Sequence, residues 1–100
     1  MSNFSHASLK KHLNSEFQVI DEPGERRVLN LIRVSDIKNR GTYESYSIEF
    51  IGPKDRFLKQ RIYELSHNSL GTHSVFLVPV GEGDKGYQYE AVFSRKTDSI

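Results

Sequence analysis

Polar and apolar residues alternate most regularly in "TYESYSIEFIG", where Tyr46, Ile48 and Phe50 fall on one side and Ser45, Ser47 and Glu49 on the other. That two-residue period is the signature of a half-buried strand. It recurs in "YQYEAVFS", with Tyr87, Tyr89, Ala91 and Phe93 facing one way and Gln88, Glu90 and Val92 the other. In "RRVLNLIRVSDI", Leu29 and Leu31 share one face while Val28, Asn30 and Ile32 share the other, so this strand has apolar residues on both sides and its register stays open. Ahead of it "EFQVI" reads as a hairpin partner, joined through "DEPGE" with Pro23 and Gly24 in turn order.

The segment "FLKQRIYELSH" fits either period, since Leu58, Ile62 and Leu65 also match a helix. Its surroundings favour strand over residues 60 to 66. "NSLG" is turn chemistry, and the β-branched and aromatic "THSVFLVPV" that follows suits a hairpin partner. Pro79 cannot donate to a ladder and is expected on an edge, at a bulge or at the strand's end. "GEGDKG" supplies the last turn. Near the start, Ser8 is placed to cap a short helix reaching about Asn14, with Leu9 and Leu13 on one face. The sum is a mainly β fold: a small antiparallel barrel or strongly curled sheet of about six strands with a short N-terminal helix. Residues 1–100 are expected to form one domain, frayed at 1–7 and 96–100.

Composition narrows the function without choosing it. The 14 Lys plus Arg nearly balance the 13 Asp plus Glu, so no long-range field draws in nucleic acid or an acidic membrane. The absence of cysteine excludes disulfides, thiolate metal sites and cysteine nucleophiles. Neither a secretory leader nor an eighteen-residue apolar run is present, which gives the expectation of a cytoplasmic protein with no membrane attachment.

Four motifs stand out together: Phe50, Gly52 and Pro53; Gln60, Tyr63, Leu65, His67, Leu70 and Gly71; Phe76, Leu77 and Pro79; and Tyr89, Glu90, Ala91 and Phe93. In this order they resemble the pattern of a family of small bacterial proteins known as a domain of unknown function, over about half of the chain. The resemblance implies an accessory protein, in some cases associated with genes for phage-tail-like fibres, and it attaches no activity. His67 falls within the matched pattern and His73 outside it.

"LSHNSLGTH" places His67 and His73 on either side of a turn. If five residues form the loop, the two imidazoles face each other as cross-strand neighbours. Two ligands are too few for a typical zinc site, so both remain weak metal candidates. The reading preferred here is a structural turn made by His67, Asn68 and Gly71, with His73 a surface strand residue. "KDRFLKQR" carries Lys54, Arg56, Lys59 and Arg61 with Phe57 and Tyr63 nearby, a possible nucleic-acid grip diluted by Asp55 and Glu64. No nucleophile elbow, His-Glu-x-x-His run or paired catalytic carboxylates appear, so neither catalytic residues nor a cofactor are expected.

Tyrosine buries a ring while keeping a hydroxyl available, which suits interfaces. Tyr43 and Tyr87, near turn ends, are the contact candidates together with Arg56 and Arg61. The expectation is therefore a non-enzymatic protein-binding or assembly module, in its narrower form an accessory of a phage-tail-like fibre or particle. The alternative is a barrel that binds a small ligand or nucleic acid through residues 54–61.

Overall fold

The computed structural model describes residues 5–20, 27–39, 41–55 and 57–96. The expected turn at Pro23 and Gly24, Arg56, and residues 1–4 and 97–100 of the stretches 1–7 and 96–100 expected to fray lie outside the described residues. The elements are helix α1 (His6–Lys11) and strands β1 (Glu16–Val19), β2 (Arg27–Val34), β3 (Lys38–Asn39), β4 (Tyr43–Gly52), β5 (Arg61–His67), β6 (Gly71–Gly83) and β7 (Gly86–Lys96). Neighbouring strands are antiparallel in the order β2-β1-β5-β6-β7-β4, and β2 pairs back onto β4. The result is a closed six-stranded barrel, with β3 attached to β4 as an extra strand.

β4 has partners on both edges. Along one, it runs with β7 from Tyr43↔Lys96 to Gly52↔Tyr87. Along the other, Ile48 to Ile51 pair with β2, and Glu44 and Ser45 then pair with β3. Ser35 bridges the gap between these partners: its amide donates to the Ser47 carbonyl (2.8 Å), and its hydroxyl accepts from the Ser47 amide (2.9 Å). β6 changes neighbours partway, pairing with β5 through Leu77 and with β7 from Val78 onward. The register slips between Pro79 and Gly81, so the proline that cannot donate stands at a bulge.

The alternation seen in the sequence sorts the core. Ile48 and Phe50 from β4, Tyr89 and Ala91 from β7, and Leu29 and Leu31 from β2 are all buried. The two-sided β2 thus has its leucines inside, while Ile32 is exposed. Phe17 meets Phe50 edge-on with ring centres 5.2 Å apart, an arrangement that suits the ring quadrupoles.

Where β5 begins, Leu58 seals the barrel. Its amide donates to the Tyr89 hydroxyl across the interior (2.9 Å), and the Tyr63 hydroxyl donates to the Lys59 carbonyl (2.6 Å). Burial pushes the Tyr89 phenol above its ordinary range, so it remains protonated and keeps its polar character without charge.

The helix differs from the expectation. It begins one turn earlier, at His6, and the cap is Ser5, whose hydroxyl accepts from the Ser8 amide (3.2 Å). Ser8 is therefore inside the first turn. Leu9 is fully buried, but Leu13 falls beyond the helix end and is largely exposed, so the two leucines do not share a buried face. The chain then ties to β2: the Asn14 amide donates to the Leu31 carbonyl (2.6 Å), and the Leu31 amide donates to the Ser15 carbonyl (3.0 Å).

Gly86 opens β7 with φ +141°, and a β-carbon there would fall onto the carbonyl oxygen of Gly52. Gly83, its partner in the same hairpin, has nothing within 4 Å of that position. Gly86→Ala should cost about 3 kcal/mol in urea denaturation through combined backbone strain and overpacking, and Gly83→Ala less than about 1 kcal/mol. Tyr89→Phe keeps the ring but leaves the Leu58 amide without its acceptor, a loss of about 1–3 kcal/mol in the same measurement.

Candidate functional site

At the far end of β5 the turn is shorter than its histidines suggested. His67 pairs with Gly71, and His73 with Leu65, so the connection is Asn68–Leu70 and the two histidines are not direct cross-strand partners. Gly71 closes it with φ +82°, the left-handed conformation that a glycine adopts without steric cost. His67 is only 8% exposed. Its Nδ1 accepts hydrogen bonds from the amides of Ser69 (3.0 Å) and Leu70 (3.2 Å). Nε2 therefore carries the proton and donates to the Ser15 hydroxyl (2.9 Å), which in turn donates to the His12 carbonyl. The ring also packs against Phe17 (4.6 Å between centres) and meets His12 edge-on (4.9 Å).

His73 holds the same turn from the other side, donating from Nε2 to the Leu70 carbonyl (2.7 Å). It is a residue of β6 that also takes part in the turn's hydrogen-bonding. Both nitrogens of His67 and Nε2 of His73 are thus taken up by hydrogen bonds in this arrangement. Among the described residues no group of three or more His, Asp or Glu side chains has metal-holding geometry.

The basic stretch is spread out. Lys54 and Lys59 are exposed, and the Arg61 guanidinium lies over the Tyr63 ring, 4.7 Å from its centre. Tyr63 is buried, so its ring belongs to the core and to Arg61, and does not offer an open face to a base. Phe57 is exposed and meets Tyr87 edge-on at 5.1 Å. Tyr87 itself is half-buried against the core, whereas Tyr43, first residue of β4, stands out more.

The outer face of β5 and β6 carries a feature that the turn and charge arguments passed over. Ile62 and Phe76 are direct cross-strand partners and are 60% and 49% exposed. Ile20 extends the same side, its amide donating to the Glu64 carbonyl (3.0 Å), and it too is exposed. Alternation alone could have found them, because Val75 and Leu77 must face inward and leave Phe76 outside. Elsewhere, the outer side of β4 and β7 forms an open groove of about 490 Å³, lined in part by Arg33, Lys38, Ser45, Ser47 and Glu90. Arg33 there pairs with Glu49 (3.2 Å), so charges of both signs line or flank it.

The site residues thus lie on a small, side-chain-filled antiparallel barrel whose distinguishing marks are a histidine-pinned turn and an apolar outer face. A family model named as a domain of unknown function, DUF6916, matches residues 4–93, and the chain belongs to that family. Searches of curated proteins and of solved structures return no significant match. No helix among the described residues is long and apolar enough to cross a membrane.

Burial lowers the pKa of His67, and the neighbouring His12 acts in the same direction. An unfolded histidine titrates near pH 6.5, so the folded chain binds fewer protons than the unfolded one below that value. The stability tied to this ring is complete above about pH 6.5 and declines as the pH falls from there toward the depressed folded-state pKa. His67→Ala should cost about 3 kcal/mol at neutral pH, because two turn amides and the Ser15 hydroxyl lose their partner. His73→Ala should cost about 1 kcal/mol. Urea midpoints compared at about pH 7.5 and about pH 5.5 should fall further for the wild-type chain than for His67→Ala.

Proposed function

We propose that this domain is a non-enzymatic protein-binding or assembly module and that it docks through the outer face of β5 and β6. The observation that carries this reading is the exposed cross-strand pair Ile62 and Phe76, with Ile20 alongside. The register of the ladder holds these apolar side chains outward, because Tyr63, Val75 and Leu77 take the core face. Grouped in this way on a sheet face, they lose contact with water when a partner covers them. Family membership is compatible with an accessory role, and the narrower form of the reading is an accessory of a phage-tail-like fibre or particle in a bacterium.

The alternative, a small-ligand or nucleic-acid barrel using residues 54–61, draws support from Lys54, Lys59 and the exposed ring of Phe57. It is weakened by Tyr63, whose ring is buried beneath Arg61.

Affinity capture from the native cell, using the wild-type chain, Ile62→Glu/Phe76→Glu and Lys59→Ala/Arg61→Ala, separates the two. Circular dichroism would first establish that each variant folds. The docking reading expects one defined protein to be retained by the wild type, to be lost at least about tenfold from the glutamate variant, and to reassemble with purified wild-type chain. Retention by the glutamate variant would reject this face. Salt-sensitive binding of single-stranded RNA or DNA, lost only in Lys59→Ala/Arg61→Ala, would replace the reading with the alternative.

A further inference from the structure

The four histidines divide by the direction of their hydrogen bonds. His6 Nε2 meets the Ser35 carbonyl (2.7 Å), His12 Nδ1 the Ser8 carbonyl (2.8 Å) and His73 Nε2 the Leu70 carbonyl (2.7 Å). A carbonyl only accepts, so each of these nitrogens is a donor, and a second proton on the ring leaves the bond intact or strengthens it. His67 is the exception. Its Nδ1 is the acceptor for two backbone amides, and an imidazolium has no acceptor to offer.

We propose that His67 is a proton-operated latch: a proton added at Nδ1 releases the Asn68–Leu70 turn and the α1–β1 connection from the barrel end, exposing Leu70 and Leu9, while the barrel ladders stay paired. The ring joins two separate pieces of chain. Through Nδ1 it holds the turn that tucks Leu70 away, and through Nε2 it holds Ser15, the residue at which the connection ties to β2. Once protonated, Nδ1–H would face two N–H groups, and the turn must move to relieve them.

The surroundings offer the cation no compensation. From the end of α1 the ring faces His12, from the α1–β1 connection the Ser15 hydroxyl, from β1 Phe17, and from β6 His73 reaches the shared turn as a donor. The last turn of α1 carries Lys10 and Lys11, and Lys10 pairs with Asp36 (3.9 Å). Among the described residues no carboxylate is within ion-pair distance of His67. The His12 ring stands 4.9 Å away and opposes a charge on His67, which couples the turn to the end of α1. The lowered pKa of His67 agrees with this geometry. The latch does not depend on which partner the domain binds.

The test is an NMR titration of the uniformly ¹⁵N-labelled full chain, recording imidazole nitrogen shifts and amide hydrogen exchange, for the wild type and His67→Asn. Asparagine can offer Oδ1 to the same two turn amides but has no proton to gain. After correction for intrinsic exchange, protection of the Ser69 and Leu70 amides should fall about tenfold or more in the wild type as His67 becomes doubly protonated, with the β4–β7 ladder unchanged. In His67→Asn the turn should stay protected over the same range. The proposal is overturned if wild-type turn protection survives double protonation of His67, if the ladder opens together with the turn, or if His67→Asn opens at the same pH. Should His67→Asn not fold, the wild-type titration decides alone: loss of protection separated from the His67 step by more than about one pH unit overturns the latch.

Discussion

The pairing of β2 with β4 turns an open ribbon into a ring, and the buried contacts depend on it. Leu31 lies opposite Phe50 in that ladder, and Phe50 in turn packs edge-on against Phe17. Without the pairing, the inner faces of β1, β2 and β4 would lose the wall that shields them. A chain of this length has few apolar residues to spare and no disulfide, so it relies on closure to bury them from all sides. β4 can do this because it is long enough to keep β7 along one edge while dividing the other between β2 and β3, with Ser35 covering the join.

The ends of the ring are fastened by polar groups placed in apolar surroundings. At one, the Tyr89 hydroxyl fixes Leu58; at the other, His67 fixes Leu70 and the segment leading from α1. Each anchor turns a loose crossing segment into a lid with a defined position. They differ in chemistry. A phenol held neutral by burial is indifferent to pH in the physiological range, whereas an imidazole used as an acceptor is not. The barrel is therefore built with one permanent closure and one that answers to protons.

Much of the ring was legible in the sequence, because a sheet with one buried face writes its period into the chain. Tyr46, Ile48 and Phe50, and again Tyr87, Tyr89, Ala91 and Phe93, marked β4 and β7, and the turn glycines separated them from their neighbours. Choosing strand over helix for residues 60 to 66 agrees with β5, which runs from Arg61 to His67. The helix start was misplaced because Ser5 and Ser8 are equally good caps and no acidic residue follows in the first turn to distinguish them. β3 carries no signal at all: two exposed residues have no period. At the candidate site, a turn held by its own histidine was legible from Asn68, Ser69 and Gly71. Ser15, the partner of that histidine, lies fifty-two positions away, and no local pattern points to it. Exposure of Ile62 and Phe76 was implicit in their alternation with Tyr63, Val75 and Leu77, yet attention to charge and aromatic hydroxyls passed over it.

Among the seven described strands β7 comes last in the chain, yet it stands in the middle of the sheet, between β4 and β6. During translation the earlier strands therefore emerge with the neighbouring edges of β4 and β6 unpaired and with no ring for Leu58 to seal. Tyr89, which anchors that seal, arrives thirty-one residues after it. The ladders that do not involve β7 need not wait for it, but the ring closes only when the segment around residues 86–96 joins β4 to β6. In that interval the open edges of β4 and β6 expose unpaired backbone groups to any other strand they meet.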